Sequence, residues 1–119
     1  MNIGGEHNDL LVRLLDVAGL RHRTLAQNVA NVNSPGYRRL DVRFEELIDQ
    51  SLARGDVAGA LHAREQVIEA GGGAERADGN NVDIDLEMGQ LSKNTVLYRT
   101  FAQILGARLA MMRSAITGR

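Results

Sequence analysis

The sequence predicts a mainly α protein. Long amphipathic helices at its two ends pair as an antiparallel α-hairpin, or coiled coil, around a weakly ordered central segment. Three observations predict this. Apolar residues recur at helical spacing over residues 8–33 and again over 85–117. Ser34-Pro35-Gly36 breaks the first pattern at a sharp corner. Many of the 13 glycines fall between the two helical stretches, against a single proline. The 119 residues suit one domain with a modest core. That domain divides into an N-terminal helix (8–33), a corner with a variable central segment (34–84) and a C-terminal helix (85–117).

The first helix has Asn8 or Asp9 as candidate caps, since either side chain can accept a free backbone N–H. Leu11, Leu14, Ala18, Leu25, Val29 and Val32 recur at spacings of three, four or seven. Leu10, Leu15 and Val17 widen the stripe, and Arg21, His22 and Arg23 interrupt it. A spacing near 3.5 favours coiled-coil packing. Gly19 costs about 1 kcal/mol relative to Ala and is a candidate point of close helix crossing. At the corner, Ser34 is pushed out of helical dihedrals by the following proline. Pro-Gly suits a turn with positive φ at the glycine. Asn31 and Asn33 compete with helix continuation by bonding nearby backbone.

Val42, Phe44, Leu47 and Ile48 then read as a short strand leading into a helix that extends to about Ala53. Residues 54–77 are weakly specified: a small arm, a lone helix or an extended loop, with Gly71, Gly72 and Gly73 as a flexible break. In the second long helix, Leu91, Asn94, Tyr98, Phe101, Leu105, Leu109, Met112 and Ile116 form the seam. Leu97, Ile104 and Met111 broaden it. Asp85 and Glu87 suit its positive N-terminal end, Arg108 and Arg113 lie towards the other end, and Gly118 is a natural stop.

Two helices cannot cover a broad apolar surface on both sides. Each fully buried Leu, Ile or Phe contributes about 1.5–3 kcal/mol, so neighbouring subunits that cover the remainder would be held firmly. Repeated without closure, such a contact builds a helical array. The alternative is a third helix from residues 54–70 that folds back and completes a monomeric bundle.

Composition narrows the function classes. Hydrophobic residues make up 44%, with two Tyr, two Phe and no Trp, which suits helices packed through aliphatic side chains. A net charge of −1 gives no concentrated basic surface for nucleic acid. Cysteine is absent, so neither disulfides nor thiol chemistry contributes. The N-terminus lacks the pattern of a secretory signal peptide, and no apolar run approaches a membrane span of roughly 20 residues.

Residue chemistry points away from an enzyme. His7, His22 and His62 have no metal-ligand spacing, and no cysteine completes a zinc set. Asp78 and Asn80 begin an alternation like a calcium loop. Val82 then occupies the next ligand position, and Asp83 replaces the required glycine. The glycine run has no lysine-serine or lysine-threonine partner for phosphate. Ser34 is followed by proline and has no nucleophile elbow. No catalytic residue, cofactor, metal or small-molecule substrate is expected.

Two segments remain. Gln27 to Arg39 reads QNVANVNSPGYRR and Asp78 to Met88 reads DGNNVDIDLEM. The first resembles the N-terminal signature of the rod and hook proteins of the bacterial flagellum, carried by Asn28, Ala30, Asn31, Asn33, Ser34, Pro35, Gly36, Tyr37, Arg38 and Arg39. Ser34 stands where threonine is common. The second resembles the downstream signature of proximal-rod members of that family, carried by Asp78, Gly79, Asn80, Asn81, Val82, Asp83, Asp85, Glu87 and Met88. Asp41, Val42 and Phe44 extend the first likeness, and Leu91, Asn94 and Tyr98 the second.

The resemblance implies a structural subunit of the periplasmic rod in the flagellar basal body. It implies assembly through the terminal helices (Leu11, Leu14, Ala18, Leu25 and Val29 with Leu91, Tyr98, Phe101, Leu105, Leu109, Met112 and Ile116). The partners implied are other copies, other rod proteins and the basal-body adaptor. Export would run through the flagellar type III apparatus without a cleaved signal. A second proximal-rod type shares the corner, and a soluble helical adaptor that binds one partner helix is the reading from another class. Residues 50–77 match nothing in the family. Bottom-up, Asn31 and Asn33 read as caps, Tyr37 as packing over the corner, and Arg38 and Arg39 as a solvated face or an intersubunit carboxylate contact.

Overall fold

The computed structural model describes residues 3–71 and 74–118, with the side chains of residues 3, 4, 6 and 7 left aside. Gly72 and Gly73 of the expected flexible break, and the His7 side chain, thus lie outside the described residues. In chain order the elements are α1 (Ile3–Ala30), β1 (Leu40–Arg43), α2 (Glu45–Ala53), α3 (Val57–Leu61), β2 (Gln66–Glu69) and α4 (Ile84–Thr117). The terminal helices α1 and α4 pack along one another as the hairpin the sequence predicts. At 28 and 34 residues they are about 42 and 51 Å long. The molecule is a flat blade, 63 × 35 × 15 Å.

α1 begins before Asn8, so Asn8 is no cap. It ties the hairpin instead: its Nδ2 donates to Met112 Sδ at 3.2 Å, and its Oδ1 accepts from Arg108 Nε at 3.2 Å. α4 begins one residue before the expected Asp85. Asp83 caps it, accepting from the backbone N–H groups of Asp85 (3.0 Å) and Leu86 (3.3 Å). Gly118, at φ 71°, ends it. No close helix crossing needs Gly19: a Cβ there would meet only Arg23 Nη1, at an ordinary 3.7 Å.

The central segment folds back along α1. Val17, Val42 and Phe44 are buried together, with Leu14, Leu20 and Ile48 packed around them. The Arg13 guanidinium lies 5.6 Å from the Phe44 ring centroid and donates to the Leu61 carbonyl. Residues 54–77, readable as arm, helix or loop, contain both α3 and β2. β2 pairs antiparallel with β1, with Leu40 opposite Glu69 and Arg43 opposite Gln66. The five-residue α3 packs on α2, so no third helix closes the bundle over α4. No helix of the described residues is long and apolar enough to cross a membrane.

Candidate assembly site

The two signature segments, far apart in sequence, fold into one hydrogen-bonded knot. The turn that follows α1 leaves carbonyls that need partners. The fully buried Asn80 supplies them: its Nδ2 donates to the carbonyls of Asn31 (2.9 Å), Val32 (3.2 Å) and Ser34 (2.8 Å). Its Oδ1 accepts from Val82 N at 2.8 Å. Arg76 joins the same place, donating to the carbonyls of Val82 and Val32. Asn81 accepts from Arg39 N at 2.6 Å and donates to the Ala70 carbonyl at 3.0 Å. Gly36 N donates to the Asp78 carbonyl at 2.7 Å. Gly36 and Gly79 have φ 73° and 82°, and a Cβ on Gly79 would sit 3.6 Å from Gly36 Cα.

Asn28 is the second centre. Its Oδ1 accepts from Leu40 N and the Tyr37 hydroxyl, both at 2.9 Å. Its Nδ2 donates to the Leu40 carbonyl at 2.8 Å and to Glu87 Oε2 at 3.1 Å. The Glu87 side chain has no exposure and receives Arg39 Nε at 2.5 Å. A buried carboxylate is tolerated only when paired and hydrogen-bonded, and Arg39 with Asn28 meets both conditions. Burial pushes the Tyr37 phenol above its ordinary pKa, the Glu87 charge adds to the rise, and Arg39 opposes it. At the edge of this region Arg21 Nη1 donates to Glu45 Oε1 at 2.7 Å. That bond holds the Glu45 carboxyl below its ordinary value, partly offset by desolvation, and raises Arg21.

The placements refine the sequence reading. Asn31 caps locally, as expected: its Nδ2 donates to the Gln27 carbonyl at 2.9 Å and its Oδ1 accepts from Ser34 Oγ at 3.0 Å. Asn33, Ala30 and Pro35 face outward, as do Asp85 and Met88. Arg38 and Arg39 do not form a solvated pair. Each meets a carboxylate of its own chain, Glu75 and Glu87, because the second signature folds against the first. Arg76 and Glu75 lie in the unmatched middle, where no residue pattern marks them. Glu87 did carry a signal. It continues the heptad phase of Leu91, Asn94 and Phe101, so an acid there faces the hairpin and requires a cation.

Along α1, Leu11, Ala18 and Leu25 are buried, and Leu14 and Val29 are half-buried. On α4, Asn94 is buried and Leu91, Phe101 and Leu105 are half-buried, whereas Tyr98, Leu109, Met112 and Ile116 are exposed. Leu97, Ile104 and Met111, seven residues apart, form a separate exposed stripe. Asn94 Nδ2 donates to the Ala18 carbonyl at 2.7 Å and pins α4 to α1. Among the described residues, its Oδ1 is the buried side-chain nitrogen or oxygen without a hydrogen-bond partner. A cleft of about 370 Å³ opens beside it, between α4 and β1–α2. The only hydroxyl lining it, on Thr24, is bound to the Leu20 carbonyl at 2.8 Å. Among the described residues no group of carboxylates and imidazoles could hold a metal ion.

No family model matches the chain. Individual relatives do. The chain is 32% identical over 122 aligned residues to the flagellar basal body rod protein FlgB of Borrelia hermsii, covering 87% of this chain and 90% of the relative. It is 31% identical over 111 residues to FlgB of Cereibacter sphaeroides (82% and 84% covered) and 24% identical over 117 residues to FlgB of Bacillus subtilis (91% of each). The chain belongs to the FlgB family of flagellar basal body rod proteins. It is therefore a structural, rod-forming protein and not an enzyme, and its place is the basal-body rod among the other proteins there.

Proposed function

We propose that the chain is a subunit of the proximal rod, where the basal body crosses the periplasm, and that copies assemble through their terminal helices to transmit torque from motor to hook. The observation that carries this is the uncovered length of α4. The hairpin and the folded-back central segment cover most of the apolar face of α1, where only Leu10 and Val12 are exposed among the described large apolar residues, while Tyr98, Leu109, Met112 and Ile116 stay exposed beside the Leu97–Ile104–Met111 stripe. Full burial of each Leu, Ile or Met is worth about 1.5–3 kcal/mol. Partly exposed as they are, these side chains gain the remaining fraction when neighbours cover them.

The corner residues Asn28 to Arg39 and their partners Asp78 to Met88 have a matching role. They fix the angle at which the chain leaves the hairpin, so that successive subunits present the same geometry. In this reading residues 1–119 act as one unit, and the partners are other copies, other rod proteins and the basal-body adaptor. Subunits leave through the flagellar type III export apparatus. The test is the position of the chain in an intact basal-body density map. Density for α1 and α4 is expected in the rod wall next to the membrane ring, and a rod whose wall is fully accounted for by other proteins would overturn the proposal.

A further inference from the structure

The chain contains one Asp-Gly pair, Asp78-Gly79, and no Asn-Gly pair. An aspartate followed by glycine is chemically labile in water, because no side chain on the glycine keeps the aspartyl carboxyl away from the adjoining amide nitrogen. Asp78 is open to solvent over 37% of its side chain, and its Oδ1 lies 4.0 Å from Arg76 Nε. It also stands inside the hydrogen-bonded knot that joins the two signature segments.

The chemistry closes on its own atoms. Gly79 N attacks Asp78 Cγ, a C–N bond forms, and the amide hydrogen leaves with the carboxyl hydroxyl as water. The resulting five-membered imide takes the water back at either carbonyl. Opening at Cγ returns aspartate. Opening at the α-carbonyl gives isoaspartate, in which the main chain runs through Cβ and Cγ and the α-carboxyl becomes the side group. Nothing is oxidised or reduced.

The knot holds each group that the first step must free. The attacking nitrogen must lose its proton, and Gly79 N donates that proton to the Arg76 carbonyl at 2.9 Å. The carboxyl must turn onto that nitrogen, and its Oδ1 accepts from Asn80 N at 3.0 Å. The carbonyl of the same peptide unit accepts from Gly36 N at 2.7 Å, and Arg76 N closes the loop on the Asn80 carbonyl at 2.9 Å. The product does not fit this frame. Its main chain is one methylene longer between Asp78 and Asn80. Asn80 has no exposure and bonds three carbonyls and Val82 N. A Cβ on Gly79 would already sit 3.6 Å from Gly36 Cα, so the added length has no room there.

We propose that Asp78 is a site of spontaneous conversion to isoaspartate controlled by the knot. Closed, the knot protects the bond. Open, the bond isomerises, and the isomerised chain does not rebuild the knot. The rate therefore follows the population of the open form. The inference concerns the single chain and stands apart from the rod role.

Ageing the purified chain in neutral buffer tests it. Isoaspartate is counted by enzymatic methylation of its free α-carboxyl and placed by fragmentation of the tryptic peptide 77–93. The folded native chain is expected to gain it at position 78 most slowly. Asn80→Ala should gain it about tenfold faster, since the knot loses its buried amide, and the urea-unfolded native chain fastest of all. Hydrogen exchange at the Gly79 amide should rise in step. Asp78→Glu, which would need a less favourable six-membered ring, should gain none at that position. The isolated isoaspartate chain should unfold at lower urea than the native chain. If Asn80→Ala loses helix content, the folded and unfolded native chains decide the matter. Equal rates in those two, modification only at other positions, or native stability in the isoaspartate chain would each overturn the proposal.

Discussion

Asn28 and Glu87 meet side chain to side chain at 3.1 Å, across 59 positions of sequence, with neither side chain exposed. A leucine at either place would be the ordinary choice for a helix seam. The polar pair has a different effect. Buried polar groups favour the one arrangement that satisfies them, and the best-attested result is a unique register. A slip of one turn between α1 and α4 would place the Glu87 carboxylate against apolar side chains and leave it far from Arg39. The hairpin therefore gives up some apolar packing for a fixed alignment, which suits a part that must repeat identically.

Removing the cation of this network is expected to be costly. Arg39→Ala leaves a buried carboxylate with only the Asn28 amide, and should destabilise the chain by about 3–5 kcal/mol. Replacing both partners, Arg39→Met with Glu87→Leu, should cost much less, since no charge is then stranded. Urea unfolding of the three proteins checks this. A double variant no more stable than Arg39→Ala would show that the pair holds the fold by more than compensating one charge.

Much of this framework is legible in the sequence, and the reasons are local. The phase of Leu11, Leu14, Ala18 and Leu25 gives α1, the phase of Leu91, Phe101 and Leu105 gives α4, and Pro35-Gly36 gives the corner. Those signals need no knowledge of distant partners. β2 was not legible. Gln66 to Glu69 is four residues long with one half-buried apolar side chain, and it is a strand only because Leu40 to Arg43 lies beside it. Within the site, Asn31 could be read as a cap because its partners lie within four residues. The roles of Asn80 and Arg76, which serve carbonyls more than forty residues earlier, depend on tertiary contact. Tyr98 and Phe101 share a seam in sequence, yet only Phe101 is covered, because the facing α1 surface is narrower than the α4 stripe.

Gly36 and Gly79 should respond alike to substitution. Both take left-handed φ, where an L side chain costs about 1–2 kcal/mol. Gly36→Val should be worse than Gly36→Ala, because β-branching adds crowding. Gly36→Asn should be the mildest, since asparagine visits this region most readily. Gly79→Ala brings its Cβ into ordinary contact with Gly36 Cα, so its cost should be conformational. Thermal unfolding of the four variants checks the order. Native stability in both alanine variants would mean that the turn relaxes freely.

The shifts at Glu45 and Tyr37 bound the pH range of the knot. Glu45 is held below its ordinary value, chiefly by the bond from Arg21. Its contribution is therefore present above the unfolded pKa near 4.3 and is lost as pH falls through the lower folded value. Tyr37 is raised, chiefly by burial. Its contribution is complete below the unfolded pKa near 10 and is lost as pH rises through the folded one. Stability measured against pH should fall at both ends. Glu45→Gln should flatten the acid limb, and Tyr37→Phe should flatten part of the alkaline limb. An unchanged acid limb in Glu45→Gln would assign that limb to other carboxylates.

The adjacent residues Ile104 and Leu105 should separate folding from assembly. Leu105 is half-buried on the side of α4 that carries Asn94, whereas Ile104 is 41% exposed on the outward stripe with Leu97 and Met111. Leu105→Asp sets a charge against the hairpin and should lower the stability of the free chain by about 2–3 kcal/mol. Ile104→Asp touches only a surface open to water and should change it by less than about 0.5 kcal/mol. In the rod the order should invert in meaning. Ile104→Asp should be exported at the native level and yet be depleted from basal bodies, because its carboxylate would have to be buried against a neighbour. Unfolding of the purified chains, together with quantification of exported and rod-bound subunit, distinguishes the two effects. If Ile104→Asp enters the rod as well as the native chain, the outward stripe is not an assembly surface, and the cover for α4 must be sought on the face of Tyr98, Leu109 and Ile116.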